Sequence, residues 1–302
     1  MTGGRPTSPD GRVGQLVGGR IVATEPARWG FSNRTWLVTT DDGRRFAVGQ
    51  LTAGPLARHR IRVARLLSSV LEPAGIPTAR LVAADPDGRP PLMITSFVAG
   101  TPGPELLADS TGAVALAGEM GRLARRLREV RPEHGRLPST WADPLRLASV
   151  ARRWLESVGP DLEPPTSAGL ATAMARLPDL FAGRRAVLAH GDWAPVNVIV
   201  ERGRVVAVLD WEFARLADPL FDIAWWGWIV AWHHPAIHPA AWPAFLRAAE
   251  VEPDPVTAER LHSLVALRLL EALAVARRHG DRAAAAGWAE RLRRTVATGS
   301  PV

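Results

Sequence analysis

The period of the hydrophobic pattern changes once along this chain, and that change limits the folds open to it more than any other feature. Up to the Gly/Pro-rich segment Val98-Ala99-Gly100-Thr101-Pro102-Gly103-Pro104, short β-like runs alternate with turn signals. Beyond it, apolar residues recur at helical spacing. Strands are expected over Arg20 to Thr24, Thr35 to Thr40 and Arg44 to Val48, the last two joined through Asp42-Gly43, because glycine accepts the positive φ of a tight hairpin turn. One helix is expected from Leu56 to Glu72, with Ile61, Ala64, Leu67 and Leu71 on its apolar face. Strands Arg80 to Ala84 and Leu92 to Ser96 follow, linked by the turn Asp85-Pro86-Asp87-Gly88. Helical patterns then cover Leu106 to Val130, Trp141 to Val158 and Ser167 to Phe181, and after a β-rich island they run to the end. The pattern predicts an α+β chain of two units: a small β-rich lobe with one helix over 1–99 and a larger, mostly helical lobe over 100–302.

Composition removes whole classes of chemistry. All 37 basic side chains are arginine, and neither lysine, cysteine nor tyrosine occurs. That excludes a Walker-type phosphate loop, a lysine Schiff base, a cysteine nucleophile, thiolate metal sites and disulfides. The net charge of +7 would suit an anionic partner. The arginines are scattered, however, without a helix-turn-helix or zinc signature, so solvated surface and arginine-favouring codons account for them better than nucleic-acid binding. The longest apolar run, Ile223 to Trp232, has ten residues, and the opening MTGGRPTSPDGR lacks the apolar segment of a signal peptide. A cytoplasmic protein with no membrane partner is expected.

The residues that carry chemistry lie in the island AVLAHGDWAPVNVIVERGRVVAVLDWEFARLADPLFDIAWW, which begins at Ala186. Val198 to Glu201 and Arg204 to Leu209 read as strands of a hairpin closed by Arg202-Gly203. Pairing Glu201 with Arg204 would set Asn197 opposite Val208 and make Asn197 and Asp210 diagonal neighbours, about 7–8 Å apart between α-carbons. An amide oxygen and a carboxylate so placed suit magnesium, which takes one or two protein oxygens and completes its shell with phosphates and water. Asp192, five residues before Asn197, can face an acceptor hydroxyl and take its proton.

Together, His190-Gly191-Asp192, then Asn197, then Asp210-Trp211-Glu212 after a hairpin resemble the catalytic and metal motifs of the aminoglycoside phosphotransferase and choline kinase family. The resemblance spans nearly the whole chain and implies a two-lobed protein-kinase-like fold with ATP or GTP between the lobes. It implies Asp192 and His190 as the catalytic pair, the first as base and the second as support of the loop, with Asn197 and Asp210 holding Mg2+. Trp29-Gly30-Phe31-Ser32-Asn33 resembles the family's nucleotide-positioning loop, placing Ser32 and Asn33 near the phosphates. Ser96-Phe97-Val98 falls at the hinge that pairs with adenine, and Ile199 and Leu209 complete the implied nucleotide contacts. Asp222 resembles the aspartate that braces the catalytic loop.

One departure matters. Kinase-like enzymes set a lysine on the third strand against the phosphates and pair it with a helix glutamate. Here the strand reads Phe46-Ala47-Val48-Gly49-Gln50, and the glutamate position falls on Val63. Losing both avoids an unpaired buried charge but leaves the phosphates in need of another cation. Arg58, Arg62 and Arg65 lie close on one helical face, with Arg44 and Arg45 just before the strand, although solvated surface is the commoner role for such arginines.

Asp218-Pro219 reads as a helix start. Trp225, Trp228 and Trp232 form a helical stripe that reads as core before substrate wall, and His233, His234 and His238 read as loop residues. Glu212 is either a support of the metal aspartate or an exposed carboxylate. The leading functional expectation is transfer of the γ-phosphoryl of ATP or GTP to a hydroxyl of a small metabolite or antibiotic. The alternatives are a pseudokinase or nucleotide-binding protein, and a peptide Ser/Thr kinase of natural-product maturation.

Overall fold

The computed structural model describes residues 10–27, 34–131, 137–159 and 162–298. A short helix, α1 (Asp10–Val17), precedes strands β1 (Ile21–Pro26), β2 (Arg34–Thr40) and β3 (Arg45–Gln50). Helix α2 (Pro55–Leu71) leads to β4 (Leu81–Asp85) and β5 (Leu92–Ser96). The five strands form one antiparallel sheet in the order β1-β2-β3-β5-β4. Period-two alternation sorts the central strands into two faces. Val38, Phe46, Val48, Leu92 and Ile94 meet Val13 and Val17 of α1 on one face, whereas Leu37, Ala47, Gly49, Met93 and Thr95 line a cleft on the other.

Helix α1 escaped the sequence reading because its eight residues hold two glycines and only three large apolar side chains. Helix α2 starts at Pro55, whose fixed φ suits a first turn. It serves two cores: Ala57 and Ile61 pack with Leu51 below the sheet, while Val63, Leu67 and Leu71 join the large core of the helical part.

That part begins with β6 (Thr101–Pro102) and continues through α3 (Ser110–Leu127), α4 (Pro144–Val158) and α5 (Pro164–Leu180). Strands β7 (Val187–Ala189), β8 (Val198–Glu201), β9 (Arg204–Val208) and β10 (Arg215–Ala217) make up the island, followed by α6 (Phe221–His233), α7 (His238–Ala249), α8 (Pro255–Arg278) and α9 (Arg282–Thr298). The hairpin β8-β9 adds β6 at its edge, and β7 pairs with β10. Helix α3 starts later than its periodicity suggests because Gly103–Ala108 winds as a 3₁₀ turn, and Asp109 then caps the helix by accepting from the Gly112 N–H at 2.8 Å.

Asp218 does not cap α6 directly. Its carboxylate closes the preceding turn by accepting from the Leu220 N–H at 2.8 Å, and both its oxygens take Arg260 of α8 at 2.8 and 2.7 Å in a pair only 5% exposed on either side. His233 ends α6 and His238 opens α7, so of the three histidines expected in a loop only His234 lies in the connection. Among the described residues, no helix is long and apolar enough to cross a membrane.

Candidate active site

The hairpin turns at Arg202-Gly203 with positive φ at both residues, 50° and 74°, and Glu201 pairs with Arg204 as expected. Its register then shifts. A bulge between Ile199 and Val200 sets Val198, not Asn197, opposite Val208. The extra residue in β9 moves the pairing by one, so the Leu209 N–H donates to the Asn197 carbonyl at 2.8 Å and Asp210 directly follows that bonded pair. Asp210 itself is left-handed, φ 58° and ψ 57°. Its side chain thus leaves the sheet and faces the cleft with Asp192 and Asn197. Protein crowds the Asp210 carboxylate although its surface is open to the cleft; that burial raises its pKa against the opposing pull of Arg60, and Asp192 raises it further.

The loop after β7 is held through its backbone. The buried Asp222 of α6 accepts from the His190 N–H at 2.7 Å and the Gly191 N–H at 2.9 Å. His190 is fully buried, its Nδ1 accepts from the Asp192 N–H at 3.2 Å, and its Nε2 lies 2.8 Å from the Leu209 carbonyl. Accepting at Nδ1 requires the proton on Nε2, so a neutral imidazole donating to Leu209 fits both contacts. His190 therefore ties the Asp192 loop to the end of the hairpin.

Asp192 is held at both oxygens. The Trp225 indole N–H donates to Oδ1 at 2.8 Å, and Asn197 Nδ2 donates to Oδ2 at 3.0 Å and to the Asp192 carbonyl at 2.9 Å. Helical periodicity had placed Trp225 in a core stripe. It is buried and stacks on Trp228, as expected, but its polar edge also orients a carboxylate, a role with no signature in sequence spacing. Behind it, Arg268 lies over the rings of Trp225 and Phe213 and pairs with Glu271, which Arg215 also binds. Burial alone would raise the Glu271 pKa, but the two guanidinium groups and further hydrogen bonds bring it below the ordinary value.

The opposite wall is poorer in charge. Gly49 faces the cleft, and Val63 is buried in the main core. Of the arginines weighed from sequence, Arg58 pairs with Asp87, Arg62 contacts His59, Arg44 pairs with Asp42 and Arg45 stacks over Phe97. None of these, nor Arg65, lines the cleft. Arg60 does, and it forms an ion pair with Glu212. Spacing missed it because its helical face was judged from the apolar stripe alone. Ser96, Val98, Ile199 and Leu209 line the same cleft, of about 680 Å³, while Ser32 and Asn33 lie outside the described residues.

A sheet-bearing lobe over a helical lobe is also what the comparisons return. Residues 23–261 match the sequence profile of the phosphotransferase enzyme family. The chain belongs to that family. Among solved structures, this phosphotransferase resembles the macrolide 2'-phosphotransferase MphH from Brachybacterium faecium, with 20% identity, 93% of this chain and 96% of that one covered, and a TM-score of 0.69. It also resembles the thermostable mutant of aminoglycoside phosphotransferase APH(4)-Ia bound to ADP and hygromycin B, at 18% identity, coverages of 97% and 99% and a TM-score of 0.70. The GDP complex of aminoglycoside 2'-phosphotransferase-IIIa aligns at 14% identity, coverages of 96% and 99% and a TM-score of 0.74. At such identities the likeness establishes a shared two-lobed, kinase-like fold. No curated protein matches the chain closely enough to count as a relative.

Proposed function

We propose that this phosphotransferase moves the γ-phosphoryl of ATP or GTP to a hydroxyl of a small metabolite or antibiotic, with Asp192 as general base. The observation that carries the reading is the double anchoring of Asp192. With Trp225 on one oxygen and Asn197 on the other, the carboxylate has a fixed direction and still keeps lone pairs for a third partner. His190 and Asp222 act through the loop and set where that carboxylate stands. Ser96, Val98, Ile199 and Leu209 are the described cleft residues proposed to contact the nucleotide, and Ser32 and Asn33, which lie outside the described residues, are proposed to join them. We place the lobe boundary near residue 99.

The donor set suits magnesium. The Asn197 amide nitrogen is engaged by Asp192, which leaves its oxygen as the remaining acceptor, and Asp210 offers a carboxylate in the same cleft. Among the described residues no group of three His, Cys, Asp or Glu side chains is placed to hold a metal, and a magnesium held by an amide, a carboxylate and phosphate oxygens needs none. When bound, such an ion neutralises charge on the transferring phosphoryl. The chain's own part is to orient the acceptor hydroxyl, take its proton at Asp192 and exclude water.

Charge narrows the acceptor. Some of the similar solved structures hold hygromycin B or kanamycin, but here Glu271 is neutralised by Arg215 and Arg268, and Glu212 by Arg60. The segment from Trp225 to Trp242 contains no Asp or Glu. A polyamine lying against those helices would lose water without gaining counter-charges, so that wall fits a neutral, partly apolar or anionic hydroxyl compound better. Steady-state turnover with Asp192→Asn tests the assignment: kcat should fall at least about a hundredfold while nucleotide affinity holds. Equal loss of nucleotide binding would make Asp192 a binding residue, and efficient turnover of a kanamycin-like substrate at physiological salt would remove the charge reading.

A further inference from the structure

We propose that Arg60 of α2, positioned by Glu212, supplies the phosphate-binding cation that the third strand of this chain lacks. The ion pair that elsewhere joins strand to helix would here join helix to the turn after Asp210. The proposal rests on the cleft being the nucleotide site, as argued above.

Three observations carry it. The cleft is lined by five carboxylates, Glu25, Glu105, Asp192, Asp210 and Glu212, while Arg60 is the only basic side chain among the described residues that line it. A nucleoside triphosphate adds several negative charges to such a wall, and one divalent ion cannot offset them all. Arg60 thus faces the ligand's charge whatever else its role.

Next, the guanidinium is built in. Its side chain is 11% exposed, the Glu212 side chain 4%, and the two are paired across the packing of α2 against the turn Trp211–Phe213. Arg60 Nε is buried without a hydrogen-bond partner among the described residues. A guanidinium has five donors in a fixed fork, so one edge can hold a carboxylate while others reach phosphate oxygens. Burial lowers the Arg60 pKa and Asp210 raises it again, with arginine fully charged at any working pH in either case.

Finally, no steric reason explains a missing lysine. A Cβ at Gly49 would meet only the Met93 carbonyl oxygen, at 3.7 Å, an ordinary contact. The strand could carry a long side chain into the cleft. With Arg60 already there, a second cation would be redundant and repelled.

Calorimetry on the full chain, with magnesium-ATP and with adenosine as separate probes, tests this. The wild type should bind both. Arg60→Gln with Glu212→Gln removes both charges without stranding either one, and should weaken magnesium-ATP at least about tenfold while adenosine affinity stays within about twofold. Adding Gly49→Lys to that double variant should recover most of the loss, whereas Gly49→Lys alone should not tighten ATP binding. Arg60→Lys, which keeps the charge and so preserves the internal pair, should weaken magnesium-ATP by only about threefold; it provides the reading if the double variant does not fold. Unchanged magnesium-ATP affinity in the double variant, or a loss shared equally by adenosine, would reduce Arg60 to an internal partner of Glu212 and overturn the proposal. A wild type that binds neither probe removes the nucleotide reading itself, and the proposal with it.

Discussion

Two glycines stand for the two walls of the cleft: Gly49 lines it, and Gly191 directly precedes Asp192, which also lines it. Gly191, in the loop that carries Asp192, has φ +87°, and an added Cβ would lie 2.1 Å from the Phe213 carbonyl oxygen. Gly49, on β3, has room for a Cβ, which would meet only the Met93 carbonyl oxygen at an ordinary contact distance of 3.7 Å. The helical-lobe wall is fixed by backbone hydrogen bonds and close contact, so little in it can change. The sheet wall presents side chains from a regular strand, so its chemistry can be exchanged without disturbing the fold. The strand residue facing the cleft can therefore change while the loop that carries Asp192 keeps its geometry.

The largest expected effect tests that contrast directly. Gly191→Ala should cost about 3 kcal/mol or more in urea unfolding, from a disfavoured φ together with a backbone clash. Gly49→Ala should change stability by less than about 1 kcal/mol and upward in sign, since glycine is entropically poor inside a strand. Similar midpoints for the two variants would break the comparison. Next in size is Asp222→Asn, which leaves one of the His190 and Gly191 N–H groups facing another donor; a loss of about 2 kcal/mol is expected, with the denaturant slope unchanged.

Trp225→Phe keeps most of the stacking and removes only the N–H to Asp192. We expect kcat to drop about tenfold at constant nucleotide KM, because hydrogen bonds to charged groups are worth about 1.5–3 kcal/mol at most. A change in KM alone would make Trp225 part of the binding wall. The smallest effect belongs to the far end of the sheet. Asp42, in the β2-β3 turn, accepts from Thr40 and Arg44 and has its pKa lowered to about 2. Because the folded value lies below the unfolded one, its stabilisation is present above about pH 4 and is lost as pH falls toward 2. The melting-point gap between wild type and Asp42→Asn should close over that window, and a gap that persists at pH 2 would assign it to geometry instead of charge.

Much of this was legible in the sequence for a local reason. The strands of the sheet, α2 and the hairpin turn at Arg202-Gly203 are set by alternation, helical spacing and turn chemistry within a few residues, and those patterns placed Asp192, Asn197 and Asp210 at one end of one hairpin. Helix α1 and the short strands β7 and β10 were missed because two glycines or a three-residue length leave too little pattern to read.

The sequence by itself determined which side chains exist for chemistry: no lysine anywhere, a carboxylate, an amide and a second carboxylate at fixed spacing, and a break between sheet and helices near residue 100. Tertiary structure decided which of them meet. The bulge in β8-β9 moved Asp210 beside the Asn197-Leu209 pair, α6 brought the Trp225 N–H to Asp192 from 33 residues away, and α2 turned Arg60, one of many arginines, into the cation facing the cleft. Such contacts depend on how separate elements pack, and packing is set by the sum of many distant apolar surfaces, which no short run of residues encodes.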